Sequence, residues 1–138
     1  MTDLLLDTHI FIWLLTGNSS LKKENLSLIE NCINSDFRLC LSAISIWEIA
    51  MLEKKKKILL SLPVTKWITE ALNKSSAKII DLSVDIIIDS CNLPGTFHAD
   101  PADRLIVATS RICNIPLITQ DSKILDYISQ GFAISNVS

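Results

Sequence analysis

Short apolar runs alternate with amphipathic stretches along all 138 residues, and that alternation admits few architectures. Leu4-Leu5-Leu6, Phe37–Leu41, Ala77–Asp81 and Pro116–Thr119 are too short for helices and read as strands. Between them, residues 8–16, 20–34, 42–57, 63–75, 84–92, 101–113 and 122–128 keep helical spacing or carry helix-start and helix-stop signals. Gly17-Asn18 closes the first helix, Pro63 and Pro101 open two others, and Pro94-Gly95 breaks the chain. Phe132-Ala133-Ile134 reads as a terminal strand. Strands alternating with helices predict an α/β sandwich around a mainly parallel sheet. Right-handed crossovers then bring every strand's carboxyl end to one edge, where such sheets bind ligands.

Hydrophobic residues make up 49% of the chain and charged residues 20%, a balance that excludes disorder and supports one domain with a real core. No apolar run reaches the ~18–20 residues needed to span a bilayer. The opening MTDLLLD places an acid where a secretory signal needs a basic region, so a cytoplasmic protein with no membrane partner is expected. Cys32, Cys40, Cys91 and Cys113 show no C-x-x-C or zinc spacing and read as reduced structural thiols. At a net charge of −2, any nucleic-acid binding must rely on a local patch or on metal ions.

Four acids fall where that common edge should be. Asp7 ends the first strand, Asp121 follows the fourth, Glu48 lies just inside the helix after the second, and Asp103 lies one turn into the helix that Pro101 opens. Each has a structural alternative. Asp7 and Asp121 can be N-caps, and Ser45-Ile46-Trp47-Glu48 fits a capping box. Asp100, immediately before Pro101, is a standard N-cap. Two carboxylates ~4 Å apart repel by about 4 kcal/mol at an effective dielectric near 20, whereas a helix N-terminus offsets only about 0.3–1 kcal/mol. A cluster of acids therefore needs protons or cations. Hard oxygen donors without Cys/His spacing point to Mg²⁺ or Mn²⁺ rather than zinc.

LLLDTHIFIWLL, SAISIWEIAML, HADPADRLIVATS and LITQD, taken in order, resemble the PIN-domain ribonucleases, specifically the VapC-type toxins of bacterial toxin–antitoxin pairs. The resemblance covers essentially the whole chain and implies a single PIN domain over residues 1–138, a three-layer sandwich with helices flanking the sheet. It implies a Mg²⁺-dependent endoribonuclease, with Mn²⁺ as a possible substitute, that hydrolyses phosphodiester bonds in single-stranded or loop RNA. It further implies neutralisation by a cognate VapB-like antitoxin. On the family's motifs the catalytic and metal-binding acids are Asp7, Glu48, Asp103 and Asp121. Asp7 and Asp103 are expected as primary ligands, with Glu48 and Asp121 orienting water or holding a second ion. A homodimer is expected from the resemblance and from apolar helical faces that invite association.

Other residues carry weaker signals. His9 and His98 flank the acids and read as turn or core residues ahead of phosphate contacts. Arg104 reads as one half of a structural ion pair. Thr8 and Thr119 can hydrogen-bond the acids or cap helices. Lys54–Lys57 reads as a solvated helix end, with an RNA-phosphate track as the alternative. Trp13, Trp47 and Trp67 are expected in the core or at an interface. Two rival functions remain. A phosphoacceptor receiver domain would use Asp81, but no Lys follows the final strand and Glu48 would go unexplained. A non-catalytic PIN-like interaction module would not require all four acids.

Overall fold

A computed structural model describes residues 2–134. The elements run β1 (Leu4–Leu6), α1 (Thr8–Thr16), α2 (Lys23–Asn34), β2 (Leu39–Ser42), α3 (Ala43–Lys54), α4 (Val64–Ser75), β3 (Lys78–Ile80), α5 (Val84–Cys91), α6 (Pro101–Cys113), β4 (Leu117–Ile118) and α7 (Ser122–Ser129). The strands form a parallel four-stranded sheet in the order β3-β2-β1-β4.

β1 is central and buried on both faces, which is why it reads as three consecutive leucines rather than an alternating strand. Leu4 and Leu6 face one layer with Leu39 and Leu41, packed by α1, α2, α4 and much of α3 through Phe11, Ile29, Ile49 and Trp67. Leu5 and Cys40 face the other, covered by α5, α6 and α7 through Ile86, Ile106, Val107 and Tyr127. The result is the expected three-layer α/β sandwich. Leu6 pairs with Leu41 on one side and Ile118 on the other, so the strands' carboxyl ends are level. The order also reverses at β1, because β2 lies to one side and β4 to the other. In open parallel sheets that reversal leaves a crevice outside the carboxyl ends of the strands.

Several sequence expectations shift. α2 begins at Lys23 rather than near Ser20, because Gln120 draws the preceding loop aside: its amide accepts the Lys22 N–H at 2.8 Å and donates to the Ser20 carbonyl at 2.9 Å. α3 stops at Lys54, short of Lys57, with Lys55 closing the helix and Lys56 in the left-handed region at φ 58°. Residues 132–134 form no strand; among the described residues the Ile134 carbonyl accepts the Leu117 N–H at 2.7 Å on the outer edge of β4. All four cysteines are free, but Cys91 and Cys113 are exposed at helix ends rather than buried. Among the described residues no helix is long and apolar enough to cross a membrane.

Candidate active site

Asp7 leaves the sheet at the end of β1 and caps α1, accepting the Thr8 N–H at 2.8 Å. Its other oxygen accepts the Thr119 hydroxyl at 2.8 Å, so a residue following β4 fixes the carboxylate of β1. The Thr119 hydroxyl also accepts the Asp121 N–H at 3.1 Å. Asp121 in turn caps α7 through the amides of Lys123 and Ile124. On the other side of β1, the Thr8 hydroxyl contacts the Ser45 hydroxyl and donates to Glu48 Oε1. The capping-box reading of Glu48 is therefore set aside: Ser42 is the N-cap of α3, and Glu48 stands in its second turn, bonded to Thr8.

Asp100 is the N-cap of α6, accepting the amides of Ala102 and Asp103 at 2.9 and 3.2 Å. Asp103 sits in the first turn, where the helix N-terminus favours a carboxylate. Asp7, Glu48, Asp100, Asp103 and Asp121 then line one cleft of about 400 Å³, together with His9, Ile10, Trp13 and Gln120. The four acids singled out by sequence are thus brought together, and Asp100 joins them. Its capping pattern concealed this second role.

The electrostatic strain is legible in the proton affinities. Burial, then the charges of Asp7, Asp100, Asp121 and Glu48, push Asp103 up to about 7. Burial likewise raises Asp7, against the lowering effect of its bonds from Thr119 and Thr8. Glu48 is raised by burial, partly offset by the Thr8 bond. Among the described residues no three such side chains already converge at ion-binding spacing. Asp7, Glu48 and Asp121 are each engaged by a neighbouring hydroxyl or amide. The donor set itself suits a hard divalent cation: five mutually repelling carboxylates dominate the lining, with no thiolate among them.

One loop packs beside Asp103. His98 Nε2 lies 3.0 Å from Asp103 Oδ2, yet it is buried and makes no hydrogen bond, so the carboxylate stands beside the ring off the N–H direction. The His98 ring also packs against Phe97, with centroids 4.4 Å apart. Among the described residues Arg104 forms no ion pair with an acid, contrary to expectation. Its guanidinium instead donates to the carbonyls of Ser90, Phe97 and His98 at 2.8, 3.2 and 3.3 Å and pins the loop from within. Phe97 stacks on Tyr127, and the Tyr127 hydroxyl donates to the Pro94 carbonyl. Trp67 is core and Trp13 half-buried, but Trp47 is 56% exposed, next to Glu48.

A crevice of carboxylates thus lies at the end of a central parallel strand, and the chain belongs to the PIN-domain family, whose match spans residues 4–128. It is 30% identical over 125 residues to Ribonuclease VapC22 of Mycobacterium tuberculosis, covering 90% of this chain and 91% of the relative. Its fold is shared with VapBC2 of Rickettsia felis, solved bound to a DNA fragment from its promoter, at a TM-score of 0.68, 18% identity and 98% coverage of both chains. FitAcB of Neisseria gonorrhoeae shares it at a TM-score of 0.59, 20% identity and 96% coverage of both. A toxin–antitoxin complex from Klebsiella pneumoniae gives 0.56 at 23% identity, over 86% of this chain and 87% of that one. At these identities the likeness to the solved structures is one of fold.

Proposed function

We propose that the acid cleft hydrolyses RNA phosphodiester bonds, and that the chain is an endoribonuclease toxin held in check by a cognate VapB-like antitoxin. The observation that carries this reading is the convergence of Asp7, Glu48, Asp103 and Asp121 on one cleft at the end of β1. The curated relative named as a ribonuclease, and solved relatives that include toxin–antitoxin complexes, support it. Asp7 and Asp103 would hold Mg²⁺, or Mn²⁺ in its place, while Glu48 and Asp121 orient water or hold a second ion. A bound divalent cation supplies positive charge to the scissile phosphate and lowers the pKa of water beside it.

The chain's own residues supply the rest. Thr119 and the Thr8 amide orient the Asp7 carboxylate before any ligand arrives, and Thr8 holds Glu48, so binding an ion would draw these carboxylates from hydroxyl partners already at the site. The raised proton affinity of Glu48 suits it to take a proton from attacking water while the ester oxygen leaves phosphorus. A protein with RNA as substrate would work in the cytoplasm. A homodimer would form through α5, where Val84, Ile87 and Ile88 share an exposed face while Ile86 packs inward.

The test compares the wild type with Asp7→Asn and Asp103→Asn on unstructured RNA, with Mg²⁺ and with EDTA. Wild-type cleavage that requires the ion and is lost in both folded variants is expected. Cleavage that persists in either variant at the wild-type rate would sink the assignment.

A further inference from the structure

The acid cleft has two walls of different chemistry. One carries the carboxylates. The other is α1, where His9 and Trp13 stand one turn apart with ring centroids 5.8 Å from each other and planes tilted by 51°. Residues four apart share a helix face, so this pairing follows from their spacing. The demands of the core on this helix are already met by Ile10, Phe11 and Ile12, which are buried. Trp13 keeps one edge on that core and the rest of its indole at the cleft, while His9 is exposed.

We propose that His9 and Trp13 form the stacking platform for the unpaired base adjacent to the phosphate at the acids, which makes Trp13 a substrate-binding residue that selects for the presence of an unpaired base and not for its identity. The inference rests on the RNA-cleaving reading above. A cleft of about 400 Å³ falls within the range of small-ligand sites, with space for a base beside the phosphate. Single-stranded RNA is bound where splayed bases meet aromatic faces, and duplex geometry denies the base that freedom.

Gln120, the polar amide on the same lining, is committed elsewhere. Its oxygen accepts from Lys22 and Asn25, and its nitrogen donates to the Ser20 carbonyl. With that amide's oxygen and one of its N–H groups held by the loop, the aromatic wall meets a base chiefly by its face. Stacking of this kind tolerates any base. The position beside the cleaved bond on this side therefore discriminates weakly among the four bases but requires that one be present.

The experiment uses the full chain and an unstructured oligoribonucleotide with a mapped cleavage site, made intact and with the base removed on either side of the cleaved bond. On one of the two abasic substrates the wild type should show KM raised about tenfold, within the range that base–aromatic stacking supplies, with kcat little changed. Trp13→Leu, which keeps apolar contact with the core but offers no ring, should show the same rise on intact RNA and no further rise on that abasic substrate. Trp13→Phe should restore most of the loss, and His9→Ala should show part of it.

The abasic comparison on the wild type reads the contact without altering the protein, so a poorly folding variant does not obscure the result. Unchanged KM on both abasic substrates overturns the proposal. So does an effect of Trp13→Leu that multiplies with base removal; it would leave the aromatic wall to a protein partner. Absence of any RNA cleavage by the wild type overturns the ribonuclease reading itself, and this inference with it.

Discussion

Asp103 retains its proton to about pH 7 because burial and the surrounding carboxylates all oppose its ionisation. An acid whose folded pKa lies above its unfolded value destabilises the fold as it ionises. Between about pH 4 and pH 7 the unfolded chain has released a proton that folded Asp103 still holds, so stability of the ion-free protein falls as pH rises through that window. Asp7 and Glu48 are shifted in the same direction and add to the slope. Urea titrations in EDTA should show a loss on the order of 1–3 kcal/mol across the window. A flat profile would count against the cluster. Asp103→Asn removes the charge in a nearly isosteric side chain, so it should abolish cleavage while ion-free stability stays level or rises. Asp100→Asn should cost little stability, because Asn caps a helix about as well as Asp. Its effect on cleavage should be smaller than that of Asp103→Asn, and a larger effect would make Asp100 the principal acid of the pair. Arg104→Ala strands three carbonyls and should cost about 1–3 kcal/mol in urea denaturation. Arg104→Lys should recover only part of that, since an ammonium lacks the planar fork.

Among the elements, the loop between α5 and α6 depends most on contacts that no local pattern announces. Gly95 has φ +69°, and a Cβ there would meet the Phe132 ring at 2.5 Å. Gly95→Ala should therefore lower stability by about 1 kcal/mol or more and loosen His98, measured as a lower melting temperature with reduced cleavage. The exposed face of α5 makes a separate prediction. Ile88→Glu should leave the fold intact and give a 15.4 kDa particle in light scattering where the wild type gives twice that. Where local chemistry sets an element, the sequence sufficed. α1 and α6 run from residue 8 to 16 and from 101 to 113 as expected, because Asp7, Asp100 and Pro101 start them and Gly17 and Asn114 take the left-handed conformation that ends them. The departures share a cause in distant partners. The start of α2 answers to Gln120, nearly a hundred residues away, and Arg104 sought carbonyls of a loop whose path is set by Tyr127 and Phe132. The four acids were legible because strand-end and helix-start positions are fixed by topology. The cleft-facing position of Asp100 was hidden behind a sufficient local explanation. The half-buried Trp13 and exposed Trp47 were unreadable because tryptophan suits core and surface sites alike.

For the whole molecule, the proposed ion binding would couple to folding through the acids. Each comes from a different segment of the chain, so an ion that bridges them binds the native state and not the unfolded one. Mg²⁺ at about a hundred times its dissociation constant should stabilise the protein by about 2.7 kcal/mol, raising the melting temperature by several degrees, and EDTA should reverse this. The same titration on Asp103→Asn should show a much smaller rise. The place of β4 has a further consequence, one of timing. β4 is the last strand to be synthesised, and it inserts beside β1, the first, carrying the Thr119 hydroxyl that orients Asp7 and the Asp121 that completes the cleft. A growing chain therefore cannot assemble this cleft until β4 and Asp121 have been made, and on the proposed reading RNA cleavage would wait for them.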